Sequence, residues 1–248
     1  MILPKIFILI PAYNEQETIK KIVTEVMDKY RNIIVINDGS CDNTYSQIPK
    51  NDNVLIINQE NKGKSCALIN GFKMALKLGG TAVVTIDGDR QHRVCDIKKL
   101  IKAHQNNQKF FILATRYYNK NQAPKTRLFA NRFADFWISW AANKKIIDSQ
   151  SGFRLYPVAV LKHLLDTDYT NKGFVFESES IIKASIAGFP IGFVKIAYSY
   201  EKIMRASHFK GYEDIKKITK MVAKYIFKYR FSCGRLWTSL TAKVEIFE

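Results

Sequence analysis

The chain has 248 residues, 47% of them hydrophobic, which suits one large domain with a sizeable core and excludes a disordered segment. Lysine and arginine number 39 against 22 acidic residues, a formal charge of +17, so anionic partners are favoured: nucleic acid, lipid headgroups or phosphorylated substrates, with plain solvated lysines as the alternative. The four cysteines, Cys41, Cys66, Cys95 and Cys233, share no paired spacing, which argues against a zinc site or a disulfide framework and for a reducing compartment.

The first element is an apolar run, Lys5–Ile10, of strand length; Pro11 and Asn14 close it too early for a signal peptide. A helix follows with Ile19, Ile22, Val23, Val26 and Tyr30 on one face, for which Asn14 is the expected N-cap and Glu17 its capping-box partner. Ile33–Ile36, Val54–Ile57, Ala82–Ile86 and Phe110–Ala114 read as further strands, with helices near Ser65–Leu78 and Val94–His104 between them. Near-continuous apolar strands alternating with amphipathic helices predict an α/β fold, a mostly parallel sheet with helices on both faces. Beyond residue 115 come a polar loop at Asn119–Pro124, an aromatic and basic helix at Lys125–Asn143, a loop at Asp148–Tyr156, and helices near Val158–Leu165 and Glu177–Ala187. The last strong pattern is a helix at Asp214–Phe231, with Ile215, Ile218, Val222, Tyr225, Ile226 and Tyr229 on its apolar face and Lys216, Lys220, Lys224 and Lys228 beside it. The expected organisation is one catalytic domain over residues 1–213 and a basic helical extension over 214–248, either packed on that domain or laid on a membrane surface. No apolar stretch reaches the roughly 20 residues that span a bilayer. The expectation is a cytoplasmic protein, with peripheral association at the inner face of the membrane left open.

Ligands of open parallel sheets bind outside the carboxyl ends of the strands. Four successive strand-end loops here hold polar and charged groups: Pro11-Ala12-Tyr13-Asn14-Glu15, Asn37-Asp38-Gly39-Ser40, Asn61-Lys62-Gly63-Lys64 and Asp87-Gly88-Asp89-Arg90-Gln91-His92. Asp87 and Asp89 flank a glycine directly after a buried strand. Mg²⁺ or Mn²⁺ takes one or two carboxylates and completes its shell with substrate phosphate and water, so Asp87, Asp89 and Gln91 are candidate metal ligands, with His92 behind them. Asp38 is either a partner for a base or ribose, with Gly39 allowing close approach, or the cap of the short helix that follows. Lys64 stands where a helix N-terminus would meet a phosphate, or in a solvated turn. The G-x-G-x-x-G and G-x-x-x-x-G-K-[ST] patterns are absent, which disfavours dinucleotide-dependent redox chemistry and ATP hydrolysis.

With these motifs in order, the chain resembles the family 2 glycosyltransferases of GT-A fold, in the branch related to dolichyl- and polyprenyl-phosphate sugar synthases. The resemblance rests on Pro11–Glu15, Asn37–Thr44, Asn61–Lys64 with Ala67-Leu68, Asp87–His92, Asp148-Ser149-Gln150-Ser151-Gly152-Phe153-Arg154, Phe176-Glu177-Ser178-Glu179 and Ser207-His208-Phe209-Lys210, and covers roughly residues 5–220. It implies that Pro11, Ala12, Tyr13, Glu15, Asp38, Gly39, Lys64 and Asp87 hold a UDP- or GDP-linked sugar, that Asp87, Asp89 and Gln91 serve a divalent metal, and that Arg116, Arg132 and Arg154 bind an acceptor phosphate. Arg90 departs from the family's small residue in the metal loop, and the segment around Arg205 departs from its Arg-x-x-Gly-x-Ser-Lys pattern. The implied reaction is an inverting displacement at the anomeric carbon. A phosphate acceptor needs only positioning, whereas a hydroxyl acceptor needs a base, for which Asp148 is the candidate. A nucleic-acid binder would show stacking platforms or a known module, and neither is found. Intact Asp87, Asp89 and Gln91 argue against a non-catalytic sugar-nucleotide binder.

Overall fold

The computed structural model describes residues 4–117, 125–167, 175–197 and 211–247. In chain order these form β1 (Ile6–Ala12), α1 (Ile19–Met27), β2 (Ile33–Asp38), α2 (Thr44–Gln47), β3 (Val54–Gln59), α3 (Lys64–Lys77), β4 (Ala82–Thr85), a 3₁₀ turn (Val94–Asp96), α4 (Ile97–Asn106), β5 (Phe111–Tyr117), α5 (Lys125–Ala142), β6 (Arg154–Pro157), α6 (Val158–Leu165), α7 (Val175–Ile186), β7 (Ile191–Ala197), α8 (Gly211–Lys228), α9 (Cys233–Thr241) and β8 (Glu245–Phe247). The described strands make one sheet in the order β3-β2-β1-β4-β6-β5-β7-β8. Only β6 runs against its neighbours, pairing antiparallel with both β4 and β5.

Both faces of the sheet are covered, which is why β1, β2 and β4 are apolar at nearly every position rather than alternating. One core packs α3, α5, α6, α7 and α8 on one face, centred on Phe72, Phe111, Tyr156 and Phe176. The other packs α1 and α4 on the opposite face through Ile19, Val23, Ile97 and Leu100. The reversal of β6 has a functional consequence. Because Thr85 pairs with Arg154, the segment entering β6 arrives at the edge where β1, β2, β4 and β5 end, and adds a further loop to that edge.

Several expectations need correction. Asn14 does not cap α1: Thr18 precedes that helix, and the Asn14 side chain turns away to accept the Cys41 N–H at 2.9 Å. The segment expected to be loop through Tyr156 ends in strand β6, and β7, α9 and β8 were not anticipated. The apolar face of α8 packs on the domain, with Met221, Val222 and Ile226 buried in the core shared with α5 and α7, while Lys216, Lys220, Lys224 and Lys228 face solvent. Of the two placements left open for residues 214–248, this is the packed one, and β8 extends the same sheet. The polar loop 119–124, Arg205 and the motif 207–210 lie outside the described residues. No helix among the described residues is long and apolar enough to cross a membrane.

Candidate active site

The loops after β1, β2 and β3 are tied into one wall. The Glu15 N–H donates to Thr44 Oγ1 at 2.6 Å, and Thr18 Oγ1 donates to Glu15 Oε2 at 2.9 Å, which buries the Glu15 carboxylate. Asp38 is buried and braces the third loop: its Oδ1 accepts from Gln59 Nε2 at 2.6 Å and from the Lys62 N–H at 3.0 Å. Of the two roles left open for Asp38, the contact at the start of α2 falls to Asp42, whose Oδ1 accepts the Thr44 N–H at 2.9 Å. Gly39 has φ +64, and a Cβ there would stand 2.5 Å from the Asn61 backbone nitrogen, so only glycine lets the second and third loops touch. Pro11 and Ala12 are buried, and Tyr13 is half-buried beside them.

At the end of β4 the charges concentrate. Lys64, the first residue of α3, places Nζ 2.6 Å from Asp87 Oδ1 and 3.0 Å from Glu177 Oε1. Burial opposes the charge on Lys64, but Asp87 and Glu177 outweigh it and raise its pKa above the ordinary lysine value. Burial likewise works against Asp87, yet Lys64 and then His92 hold its carboxyl below the usual range. Gly152 closes over this triad: a Cβ there would lie 2.6 Å from Glu177 Oε1, 2.8 Å from Asp87 Oδ2 and 3.0 Å from Lys64 Nζ. Asp89 differs. Burial first, then the charge of Asp87, push it up to about 6, although the Gln91 N–H donates to its Oδ1 at 3.0 Å. Burial pushes His92 down to about 4, so it stands neutral beneath the loop. Arg90 adopts φ +60, and its guanidinium lies 3.8 Å from Glu25 on α1.

A second constellation lies at the end of β5. The Arg116 N–H and Nε each donate to Asp148 Oδ2 at 2.8 Å, and its terminal nitrogen donates to Asp148 Oδ1. Asp148 has φ +51 and is held in that strained position from α5: Asp135 Oδ2 accepts the Asp148 N–H at 2.9 Å and Oδ1 accepts the Ser149 N–H at 2.8 Å. Burial raises Asp135 to about 6 despite these bonds. An Asp135→Ala variant is expected to lose about 2–3 kcal/mol of stability, because two N–H groups, one of them on the fully buried Ser149, lose their acceptor. Thermal unfolding at neutral pH checks this, and an unchanged melting curve would refute it.

The structure thus brings together Asp87, Asp89, Lys64 and the loops of Glu15, Asp38 and Gly39, and sets Arg116 with Asp148 nearby. The other two arginines are placed differently. Arg132 is exposed on α5. Arg154 is wholly buried: it donates to the backbone carbonyls of Ser151, Glu177 and Ser149 at 2.7, 2.6 and 2.8 Å and to Ser180 Oγ at 3.2 Å. Its geometry is that of an internal brace, which corrects the expected phosphate contact. Glu177 and Asp135 were missed as site residues. The Phe-Glu-Ser-Glu motif and the lone carboxylate of an aromatic helix were the available signals.

The residues present fit a hard divalent cation. Among the described residues no group of three or more His, Cys, Asp and Glu side chains forms a closed metal cage. Two adjacent, partly buried carboxylates that repel each other are the donor set for an ion sharing its shell with substrate phosphates.

This is an α/β fold of the GT-A type. Among solved structures it is similar to glucosyl-3-phosphoglycerate synthase from Mycobacterium tuberculosis in complex with uridine diphosphate, with a TM-score of 0.67 at 17% identity over 95% of this chain and 81% of that one. The same synthase in complex with Mn²⁺, uridine diphosphate and phosphoglyceric acid aligns with a TM-score of 0.63 at 16% identity over 91% of this chain and 78% of that one. Residues 7–165 match the profile of glycosyl transferase family 2, and the chain belongs to that family. It is 33% identical to the UDP-N-acetylglucosamine–dolichyl-phosphate N-acetylglucosaminyltransferase of Methanococcus voltae, over 81% of this chain and 88% of that protein. It is 26% identical to the polyprenol monophosphomannose synthase of Mycolicibacterium smegmatis, over 92% and 89%. The chain is a glycosyltransferase related to the polyprenyl-phosphate sugar synthases.

Proposed function

We propose that this enzyme transfers a sugar, with inversion and with the help of Mg²⁺ or Mn²⁺, from a nucleotide-diphosphate sugar to a polyprenyl phosphate. The observation that carries the choice of acceptor is the Arg116–Asp148 pair. Both oxygens of Asp148 are engaged in fixing Arg116, which favours reading Asp148 as the group that positions this arginine over reading it as the base a hydroxyl would need. A phosphate monoester has a second pKa near ~6 and arrives already anionic, so it needs only orientation. Arg116, oriented by Asp148, would set its guanidinium charge beside one of the phosphate oxygens. The relatives named for dolichyl phosphate and polyprenol support the same acceptor class.

On the donor side, the wall formed by Pro11, Ala12, Tyr13, Glu15, Asp38 and Gly39 would receive the nucleoside. Asp87, Asp89 and Gln91 would hold the metal, which when bound neutralises charge on the departing diphosphate. Lys64 starts a helix, where a cation and the positive end of the helix dipole together favour phosphate. Glu177 and Asp87 keep that lysine charged and aimed along the edge.

The test is transfer from a panel of UDP- and GDP-sugars to a short-chain prenyl phosphate against sugar alcohols, with and without Mg²⁺ or Mn²⁺. Product on the prenyl phosphate alone is the expected result; product on alcohols alone would sink the acceptor assignment. Arg116→Met is expected to lower kcat/KM for the prenyl phosphate about ten- to hundredfold, the worth of one or two charge-assisted hydrogen bonds. Unchanged kinetics would remove Arg116 from the acceptor site.

A further inference from the structure

The outer face of α5 reverses the usual amphipathic pattern. Its inner face, with Ile138, Ala141 and Ala142, is buried in the core as expected. Its outer face, where a surface helix places polar side chains, carries Phe129 and Phe133, 73% and 56% exposed, and Phe136 beside them. The rings continue as a ridge: Phe129 stacks on Phe133 at 6.4 Å, Phe133 meets Trp137 at 6.0 Å, Trp137 stacks on Trp140 at 5.6 Å, and Trp140 meets Phe231 at 6.1 Å. Phe231 in turn packs on Phe227 at 4.8 Å, at the end of α8. Phe227 follows Lys224, Lys220 and Lys216 at spacings of three, seven and eleven residues, which puts it on the solvent face with those exposed lysines. Helix α9 packs against α5 and adds Trp237, 70% exposed.

We propose that this ridge is a membrane-docking surface, its aromatic side chains entering the headgroup boundary of an anionic bilayer while the α8 lysines lie along the lipid phosphates. The proposal deepens the lipid-acceptor reading and rests on it for its purpose. Exposed phenylalanine and tryptophan beside a row of exposed lysines is the composition of a helix lying in a lipid interface. The charge favours this occupant over a second copy, since two chains of +17 would bring their lysine rows together. An anionic lipid plane instead complements that charge. The placement fits as well. On its inner side α5 carries Asp135, which accepts the N–H groups of Asp148 and Ser149, and Asp148 orients Arg116. One helix therefore links the docking face to the residue assigned to the acceptor phosphate.

The test is sedimentation of the full chain with vesicles of phosphatidylcholine alone or of equimolar phosphatidylcholine and phosphatidylglycerol. Binding to the anionic vesicles, with a blue shift of tryptophan emission, is expected. The triple variant Phe133→Ser, Phe227→Ser, Trp237→Ser should bind them about tenfold or more weakly, from the apolar burial it forgoes. It should keep the wild-type melting temperature and its activity on a water-soluble short-chain prenyl phosphate. The proposal is overturned if the wild type ignores anionic vesicles or if the triple variant binds them as well as wild type. It is equally overturned if light scattering shows that the variant loses a dimer while vesicle binding persists. Vesicle binding that follows this pattern in a protein unable to glycosylate any prenyl phosphate supports the docking surface and sinks the acceptor assignment alone.

Discussion

Asp89→Ala is expected to lower sugar transfer about a thousandfold, equivalent to ~4 kcal/mol of transition-state stabilisation, with the fold intact. The carboxylate makes a local contact to the Gln91 N–H in its own turn, so its loss disturbs little else. What it removes is one of the two carboxylates assigned to the proposed cation. The variant should also bind Mn²⁺ much more weakly in the absence of donor, measured by electron paramagnetic resonance; full activity and unaltered Mn²⁺ binding would end the metal assignment. The same group sets a pH dependence. Burial and Asp87 raise its pKa to about 6, so a proton competes with the metal as the pH falls through 6, and activity should decline there. Higher metal concentration should move that limb to lower pH. For stability the sign is opposite. A carboxyl raised above its unfolded value binds its proton more tightly when folded, so this contribution is full below about pH 4 and lost as the pH rises through 6 in the metal-free chain.

Much of the donor side was legible because its signals are local. An apolar parallel strand followed at once by polar and charged residues is readable without coordinates, and β1, β2, β3 and β4 all have that form. What escaped depends on partners distant in sequence. Asn14 has the chemistry of a cap, but its side chain is used across 27 residues by Cys41. Glu177 lies far along the chain from Lys64 and Asp87, and only the sheet edge joins them. The strand β6 begins with an arginine after a polar loop and spans only Arg154–Pro157, too little for a period to show. In α5 the aromatic pattern was visible as a helix, but periodicity identifies a face without saying which way it turns. Here the aromatic face turns outward and the small residues inward.

Arg154 shows how a motif residue is misjudged when burial is unknown, and the variant Arg154→Met separates the two possible roles. An arginine in a Ser-Gly-Phe-Arg motif near a diphosphate site looks like a phosphate ligand. In the fold it is fully buried, and its guanidinium satisfies the carbonyls of Ser149, Ser151 and Glu177. Those contacts hold together the turn before β6 and the first turn of α7, and with them Gly152 above the Lys64–Asp87–Glu177 triad. Methionine fills similar space but donates nothing, taking the donor from the buried carbonyls of Ser149 and Ser151, while that of Glu177 keeps the Ser180 hydroxyl. At about 1–3 kcal/mol for each of the two, partly relieved by relaxation, a loss of about 2–4 kcal/mol is expected. In a chain of this size that lowers the melting temperature by roughly 10 °C. Any kinetic defect should appear in kcat with donor as well as acceptor, because the triad shifts with the turn. A variant that melts like wild type and shows only a raised KM for prenyl phosphate would return Arg154 to the acceptor site. Arg116→Met should show the contrasting pattern, with the loss concentrated in kcat/KM for the acceptor, because its guanidinium is bound by the Asp148 carboxylate rather than by the backbone carbonyls of two elements.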